Sequence, residues 1–384
     1  MRPIRVLHVA PHLAQGGAER LLYDLATSQD DRVSHRVILM DDDVFFDRGR
    51  LDVTSLGFDL SQRSSSALKL LPAIRKLARY VAEDPPDVVQ GWLYYGALLT
   101  LGLRSYPVPI VWSIHNTSLP PFRHNPVLHI VDRILARASW SRPPRIAYCA
   151  ETAKRLHEMR GYNNQAGLVI DNGINTADFR PDPARRARLR QRFGLSEGTF
   201  AIGLFGRRDP QKDIPGCLDA FAEASAKHPE MRLVMAGRGM ETTNPELAGW
   251  ISRRGLTGRC RLLASVTDMG GLVNAVDAVM LGSRYGEAMP LVLLEALASG
   301  VPVVATQVGD VGRLSLPDQA MVQPNDHIAL AAALSFLRQS AGGPLWDDAF
   351  RRTREHYSIE RFNANFMELY SELAAGARHR EAAS

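Results

Sequence analysis

The side chains of this sequence best suited by type and spacing to chemistry are two cations, Arg207 and Lys212 in GRRDPQKD, and two acids, Glu287 and Glu295 in GEAMPLVLLEALASG. Lysine is scarce, confined to Lys69, Lys76, Lys154, Lys212 and Lys227, so its use at Lys212 stands out against an arginine-dominated total of 46 basic residues. A guanidinium fork and a mobile ammonium just past a strand suit a diphosphate; the alternative is surface solubility. The seven residues between the acids are too many for a tight acid/base dyad and suit two contacts along an elongated, hydroxyl-rich ligand. Pro290 places Glu287 ahead of the helix that carries Glu295, and Glu295, with apolar neighbours on both sides, could instead pin backbone. Gly16 and Gly17 lie at a strand-to-helix turn that would offer N–H groups to an anion, or merely start a helix, with Glu19 complementing its dipole. His115, between the run PIVWSI and Asn116-Thr117, would overlook a cleft or be a histidine without chemistry. Asn172-Gly173 reads as a structural turn.

The elements that must position these groups alternate. Short β-rich runs begin at Ile4, Arg36, Asp87, Pro109, Arg145 and Gly167, and the pattern restarts at Phe200, Met231, Arg259, Ala278 and Pro302, with a weaker run near Met321. Between them, segments such as Ala18 to Ala26, Leu68 to Val81, Ile214 to Ala226 and Leu291 to Ser299 repeat apolar residues at helical spacing. This predicts two parallel α/β sheets with binding at the carboxyl ends of their strands. INTADFRPDPARR, from Ile174 to Arg186, reads as the hinge. The expected domains are 1–175 and 176–357, followed by a C-terminal helix over 358–375 packing back toward the first domain and a fraying polar tail over 376–384.

Composition excludes several classes. With 45% hydrophobic and 23% charged residues in 384, the chain is neither disordered nor fibrous. A net charge of +5, spread along the chain, does not demand nucleic acid. Cys149, Cys217 and Cys260 lack CxxC or histidine-rich spacing, so neither a disulfide framework nor a zinc site is expected, and a reducing compartment is. No uncharged apolar stretch reaches membrane-spanning length, which predicts a cytoplasmic protein with peripheral membrane contact left open.

Taken together and in order, GGAER, HN, the Asn172-Gly173-Ile174 turn, GRRDPQK and EAMPLVLLEALASGVPVVAT resemble the retaining glycosyltransferases of family 4, over roughly residues 5 to 370. The resemblance implies the GT-B fold, two Rossmann-like domains facing a central cleft, with the acceptor held mostly by the first and a nucleotide sugar by the second. It implies that Arg207 and Lys212 hold the diphosphate, that Glu295 binds ribose hydroxyls and that Glu287 contacts hydroxyls of the transferred sugar. Backbone around Ala288, Met289, Pro290 and Leu291 would touch sugar and phosphate, Gly16 and Gly17 would face the phosphates, Gly237 would lie near the nucleotide, and His115 near the reaction centre. A UDP-sugar is expected before a GDP-sugar, with no cofactor or metal required, and the acceptor would be a glycan or a lipid-diphosphate-linked saccharide. Three positions depart from the common pattern: Asp213 stands where glycine is usual, Met289 replaces a frequent aromatic or other apolar residue, and Ala264-Ser265 replaces leucine-glycine. The first two would reshape the sugar pocket. GWLYYGALL, Trp112 and HNTSLPPFRHNP could form a carbohydrate platform or lid, with core packing an equal alternative for Trp92 to Leu99, and RASWSRPPR, ending at Arg145, could meet anionic lipid headgroups or a lipid-diphosphate acceptor. A nucleotide-sugar epimerase, an inactive nucleotide-sugar-binding module and a phosphorylase are the alternative readings.

Overall fold

The structure is a computed structural model that describes residues 2–58, 66–141 and 144–383, the side chains of 66–70 and 380–383 aside. The chain forms two compact units, Met1–Gly173 with Glu360–Ser384, and Ile174–Ile359.

Unit 1 is built on seven parallel strands: β1 (Ile4–Ala10), β2 (Val33–Leu39), β3 (Val53–Ser55), β4 (Val88–Trp92), β5 (Ile110–Ile114), β6 (Arg145–Tyr148) and β7 (Gly167–Val169). Their order is β3-β2-β1-β4-β5-β6-β7. Helices α1 (Gly17–Ala26), α2 (Ser66–Glu83), α3 (Leu93–Thr100), α4 (Pro126–Ala138) and α5 (Glu151–Met159) connect them. The central strands are nearly continuous apolar runs, as strands covered on both faces must be; Val9, Val88, Val89 and Val111 are fully buried. The C-terminal helix, Ile359–Ala383, completes this unit, with Phe362, Phe366 and Tyr370 buried and the Tyr370 hydroxyl donating to Gln90. It continues through the expected polar tail to Ala383, because Ala, Arg and Glu are strong helix formers and outweigh the cost of about 1 kcal/mol at Gly376.

Unit 2 repeats the plan with β8 (Phe200–Phe205), β9 (Met231–Ala236), β10 (Cys260–Leu263), β11 (Ala278–Leu281), β12 (Val303–Thr306) and β13 (Met321–Val322), in the order β10-β9-β8-β11-β12-β13. Its helices are α6 (Pro183–Phe193), α7 (Ile214–Lys227), α8 (Pro245–Arg253), α9 (Met269–Ala275), α10 (Leu291–Ala298), α11 (His327–Ser340) and α12 (Asp347–His356). Helix α6 shows how local chemistry sets boundaries: Asp182 caps its start, Pro183 opens it, and Gly194 ends it at φ 68°. Two of its arginines, Arg186 and Arg190, turn inward, while Arg188 and Arg192 are exposed. Arg186 and Arg190 both pair with Asp277, which also accepts from the Ala201 N–H at 2.7 Å and so ties α6 to β8. The first and last residues of unit 2 are stitched together, with Ile174 N–H donating to the Tyr357 carbonyl and Ile359 N–H to the Ile174 carbonyl, each at 2.8 Å.

In each unit the first strand pairs on one side with the second and on the other with the fourth. The connections reverse there, opening a crevice at the carboxyl ends of β1 and β4 and again of β8 and β11. Gly16 follows β1, while Lys212 follows β8 and Glu287 follows β11.

Candidate functional site

In unit 2 the loop after β8 turns at Gly206, φ 143°, and runs into the 3-10 turn Pro210–Lys212, where the Asp209 carboxylate accepts from the Gln211 N–H. The loop after β11 comes alongside, joined by the Arg284 N–H donating to the Gln211 carbonyl at 2.8 Å. This brings Lys212 Nζ to 2.7 Å from Glu287 Oε1, the same oxygen that accepts from the Ser283 hydroxyl at 2.7 Å. Burial alone would raise the Glu287 pKa, but the Lys212 ammonium, the Ser283 hydroxyl and the charge of Arg207 together hold it below the ordinary carboxylate value. Glu287 is therefore ionised, and the pair Lys212–Glu287 is a mostly buried ion pair with a further positive charge nearby. Arg207 itself is half exposed and leans on Asp209 at 3.2 Å.

The backbone packs tightly around this pair. A Cβ at Gly237, φ 135°, would lie 2.2 Å from the Gly206 carbonyl oxygen, so the loop after β9 can press on the loop after β8 only without a side chain. Gly309, φ 57°, supports Glu287 and Ala288 in the same way, and the Asp310 N–H donates to the Ala288 carbonyl at 2.8 Å. Ala288 and Met289 are buried, Pro290 caps α10, Leu291 opens it, and Glu295 sits half-buried in its second turn. Glu287 thus precedes the helix, as Pro290 predicts.

Asp213 does not open into a pocket. It adopts φ 46°, caps α7 through the Gly216 N–H, and is 2% exposed. One carboxylate oxygen pairs with Arg284 at 2.7 Å and the other meets His327 Nε2 at 2.9 Å. Aspartate tolerates the left-handed backbone where glycine is usual and adds a clamp between the loops that carry Lys212 and Glu287.

In unit 1, Gly16 is the extended N-cap of α1, φ −165°, and Gly17 its first residue. The Glu19 carboxylate folds back so closely that a Cβ on Gly16 would lie 2.2 Å from Oε2, and His12 Nδ1 stands 3.6 Å from Oε1. The Glu19 carboxylate therefore lies close against the start of α1. His115 stacks flat on Trp92, with centroids 5.2 Å apart and planes at 7°. Burial lowers its pKa to about 4, against a small opposing effect of Asn172, so the ring is neutral at pH 7. Trp92 continues inward, donating to His8 Nδ1 at 3.0 Å, and His8 Nε2 meets His35 Nδ1 at 2.8 Å.

Of the two readings of GWLYYGALL and Trp112, core packing holds and the carbohydrate platform does not: Trp92, Tyr94 and Trp112 are buried, with Tyr94 bonded to His157 and Trp112 to Thr100. Leu93 between them takes φ 57°, an uncommon conformation for a bulky side chain, at the carboxyl end of β4. In RASWSRPPR, Arg142 and Pro143 lie outside the described residues and Arg145 is engaged by Glu372 at 2.9 Å. Ser283, Arg284 and His327 escaped the sequence reading. Ser283 and Arg284 carry no signal beyond lying just ahead of Glu287, and His327 comes from a distant helix. Among the described residues no group of three or more His, Cys, Asp or Glu gathers in a metal-holding arrangement.

Known proteins resemble this chain along its length. The family model described as Glycosyltransferase Family 4 matches residues 15–178, and that described as Glycosyl transferases group 1 matches 199–340. A glycogen synthase of Mycobacterium tuberculosis is 28% identical over 73% of this chain and 65% of its own length. A D-inositol 3-phosphate glycosyltransferase of Salinispora tropica is 32% identical over 55% of this chain and 47% of its own. The chain thus spans less than two thirds of these relatives. Among solved structures, Anabaena Alr3699/HepE in complex with UDP and glucose superposes with a TM-score of 0.81 at 21% identity, covering 96% of this chain and 99% of that one. A glycosyltransferase from Rickettsia africae gives 0.79 at 17%, covering 97% and 99%. These likenesses make the architecture GT-B, and with the two family models matching consecutively across both units the chain belongs to glycosyltransferase family 4.

Proposed function

We propose that this chain is a retaining glycosyltransferase that moves a sugar from a nucleoside diphosphate sugar to a hydroxyl of a glycan or lipid-linked saccharide in the building of cell-surface polysaccharide or glycoconjugate. The observation that carries the reading is the Lys212–Glu287–Ser283 cluster beside Arg207 at the strand-order reversal of unit 2. A cation pair there neutralises the charge that grows on a leaving diphosphate, which is where positioned charge accelerates transfer most. Lys212 is held by an ionised acid, so its ammonium is oriented before a ligand arrives, and Glu287 contacts a hydroxyl of the transferred sugar. Glu295 takes the ribose hydroxyls, and the N–H groups at Leu291 and beyond meet phosphate. The backbone at Gly237 borders the nucleotide. In unit 1, which would hold the acceptor, Gly16 and Gly17 offer backbone N–H groups to a phosphate and the neutral His115 ring hydrogen-bonds a saccharide hydroxyl. The carboxylate assigned to the sugar, Glu287, is engaged by Lys212 and Ser283 and assigned to hydroxyl contact, so the motifs supply no obvious nucleophile, which supports front-face transfer with the leaving phosphate accepting the acceptor's proton. The UDP held by Alr3699/HepE supports a UDP-sugar before a GDP-sugar.

We place the enzyme in the cytoplasm, peripheral to the inner membrane face. Three cysteines, none of them in a disulfide, support a reducing compartment; among the described residues no helix is long and apolar enough to cross a membrane. The test is a binding screen of UDP-, GDP- and ADP-sugars by native mass spectrometry, followed by transfer to soluble and lipid-linked saccharides. Lys212→Ala is expected to lower turnover by roughly a hundredfold or more in a folded protein, and near-normal transfer by that variant would remove the phosphate role. Unchanged donor kinetics in Glu295→Ala would remove the ribose role.

A further inference from the structure

Six of the ten large apolar side chains left exposed among the described residues lie in one region of unit 1: Phe122, Val127, Ile130, Ile134, Trp140 and Met159. They are not scattered. At about 100° per residue, Val127, Ile130, Ile134, Arg133 and Arg137 fall within one arc of roughly 120° on α4, while Val131, Leu135 and Asp132 face inward. Phe122 extends this face at the start of the helix, where it packs edge-on against His129, and Trp140 extends it at the end, its indole N–H held by the Gly161 carbonyl at 2.8 Å while 57% of the residue stays exposed. Met159 stands two residues before that carbonyl.

The charge on this face has one sign. Arg123, Arg133 and Arg137 are exposed, and from Leu119 to Ser141 the one acidic residue, Asp132, is buried against Tyr162 and Arg160. An apolar stripe flanked by arginines with a tryptophan at its edge is the composition of a helix lying in a bilayer interface, where the apolar chains enter the acyl boundary and the guanidinium groups meet anionic headgroups. A protein partner would be expected to find some acid on such a surface to pair with its own cations. A second copy of this chain would bring arginine against arginine.

We propose that the outer face of α4, with Phe122 and Trp140 at its two ends, docks on an anionic membrane surface. It keeps Arg137 and Trp140 of RASWSRPPR and leaves out Arg145, which is engaged by Glu372. The docking stands without the transferase reading, and only its consequence, an acceptor presented at the lipid surface, rests on it.

The test uses the full chain and vesicles of phosphatidylcholine, alone or with phosphatidylglycerol, in co-sedimentation at low and high salt. The chain is expected on anionic vesicles and not on neutral ones, with binding weakened by salt. The double substitution I130S and I134S, and separately R133E with R137E, should each lower it by roughly tenfold or more. These side chains are exposed, so circular dichroism and nucleotide binding should be unchanged. Loss of nucleotide binding in the parent chain would count against the transferase reading and leave the docking intact. Absent vesicle binding, binding indifferent to both double variants, or a dimer in light scattering that the same variants dissolve would overturn the proposal.

Discussion

Asp213 shows how much a single residue can report. Its left-handed backbone costs about 1 kcal/mol that glycine would not incur, yet it returns a helix cap and bonds to Arg284 and His327. Because Arg284 and His327 reach solvent, losing their partner leaves them hydrated rather than stranded. Asp213→Gly should therefore fold, lose about 1–2 kcal/mol in a denaturant titration, and raise the donor KM by loosening the loop that holds Lys212. Equal or greater stability with unaltered KM would show the clamp to be idle. Lys212 was legible because lysine is rare here, and Glu287 because Pro290 separates it from the helix. Ser283 was not, since serine is common and its role depends on burial and on a neighbour's oxygen. His327 was not, since 114 positions separate it from Asp213 and local spacing carries no trace of that contact.

The elements were read with more success than the side chains between them. Parallel central strands must be apolar on both faces, so runs such as FAIGLF and AVML announce themselves. The short edge strand β3, with a single partner and only three residues, does not. The C-terminal helix runs past its expected end because polarity reads as fraying, whereas helix propensity, not hydrophobicity, governs how far a polar helix end continues. What no strand pattern shows is the mutual approach of the loops after β8 and β9. Gly237→Ala would force a side chain into the Gly206 carbonyl at a backbone angle few residues accept. It should cost about 2–4 kcal/mol and displace the Gly206–Arg207 peptide. A thermal melt within a degree of the parent, with normal nucleotide affinity, would refute that account.

Across the whole molecule, arginine content is a poor guide to free positive charge, because Arg186, Arg190 and Arg284 are spent on internal carboxylates. The histidines divide more sharply. His8, His35, His115 and His157 of unit 1 are held neutral chiefly by burial, with His35 and His115 lowered to about 4 and His157 to about 3, whereas His228, His327 and His356 of unit 2 reach solvent. An unfolded histidine takes its proton near 6.5, so between that pH and 4 the unfolded chain binds more protons and stability must fall as pH falls. At pH 5 His35 and His115 should each contribute about 2 kcal/mol less than at pH 7.5. Calorimetry is expected to show the unit 1 transition moving down by several degrees from pH 7.5 to 5 while unit 2 moves little. A unit 1 transition that holds its temperature would contradict the buried-histidine account. The stitched ends of unit 2 carry a different consequence. A segment whose first and last residues are already hydrogen-bonded neighbours can be lifted out and replaced as a cassette, since its successor need only present the same pair of ends. Recombination at Gly173/Ile174 and Ile359/Glu360 is thus the least disruptive route to chimeras that keep one unit's ligand and change the other's.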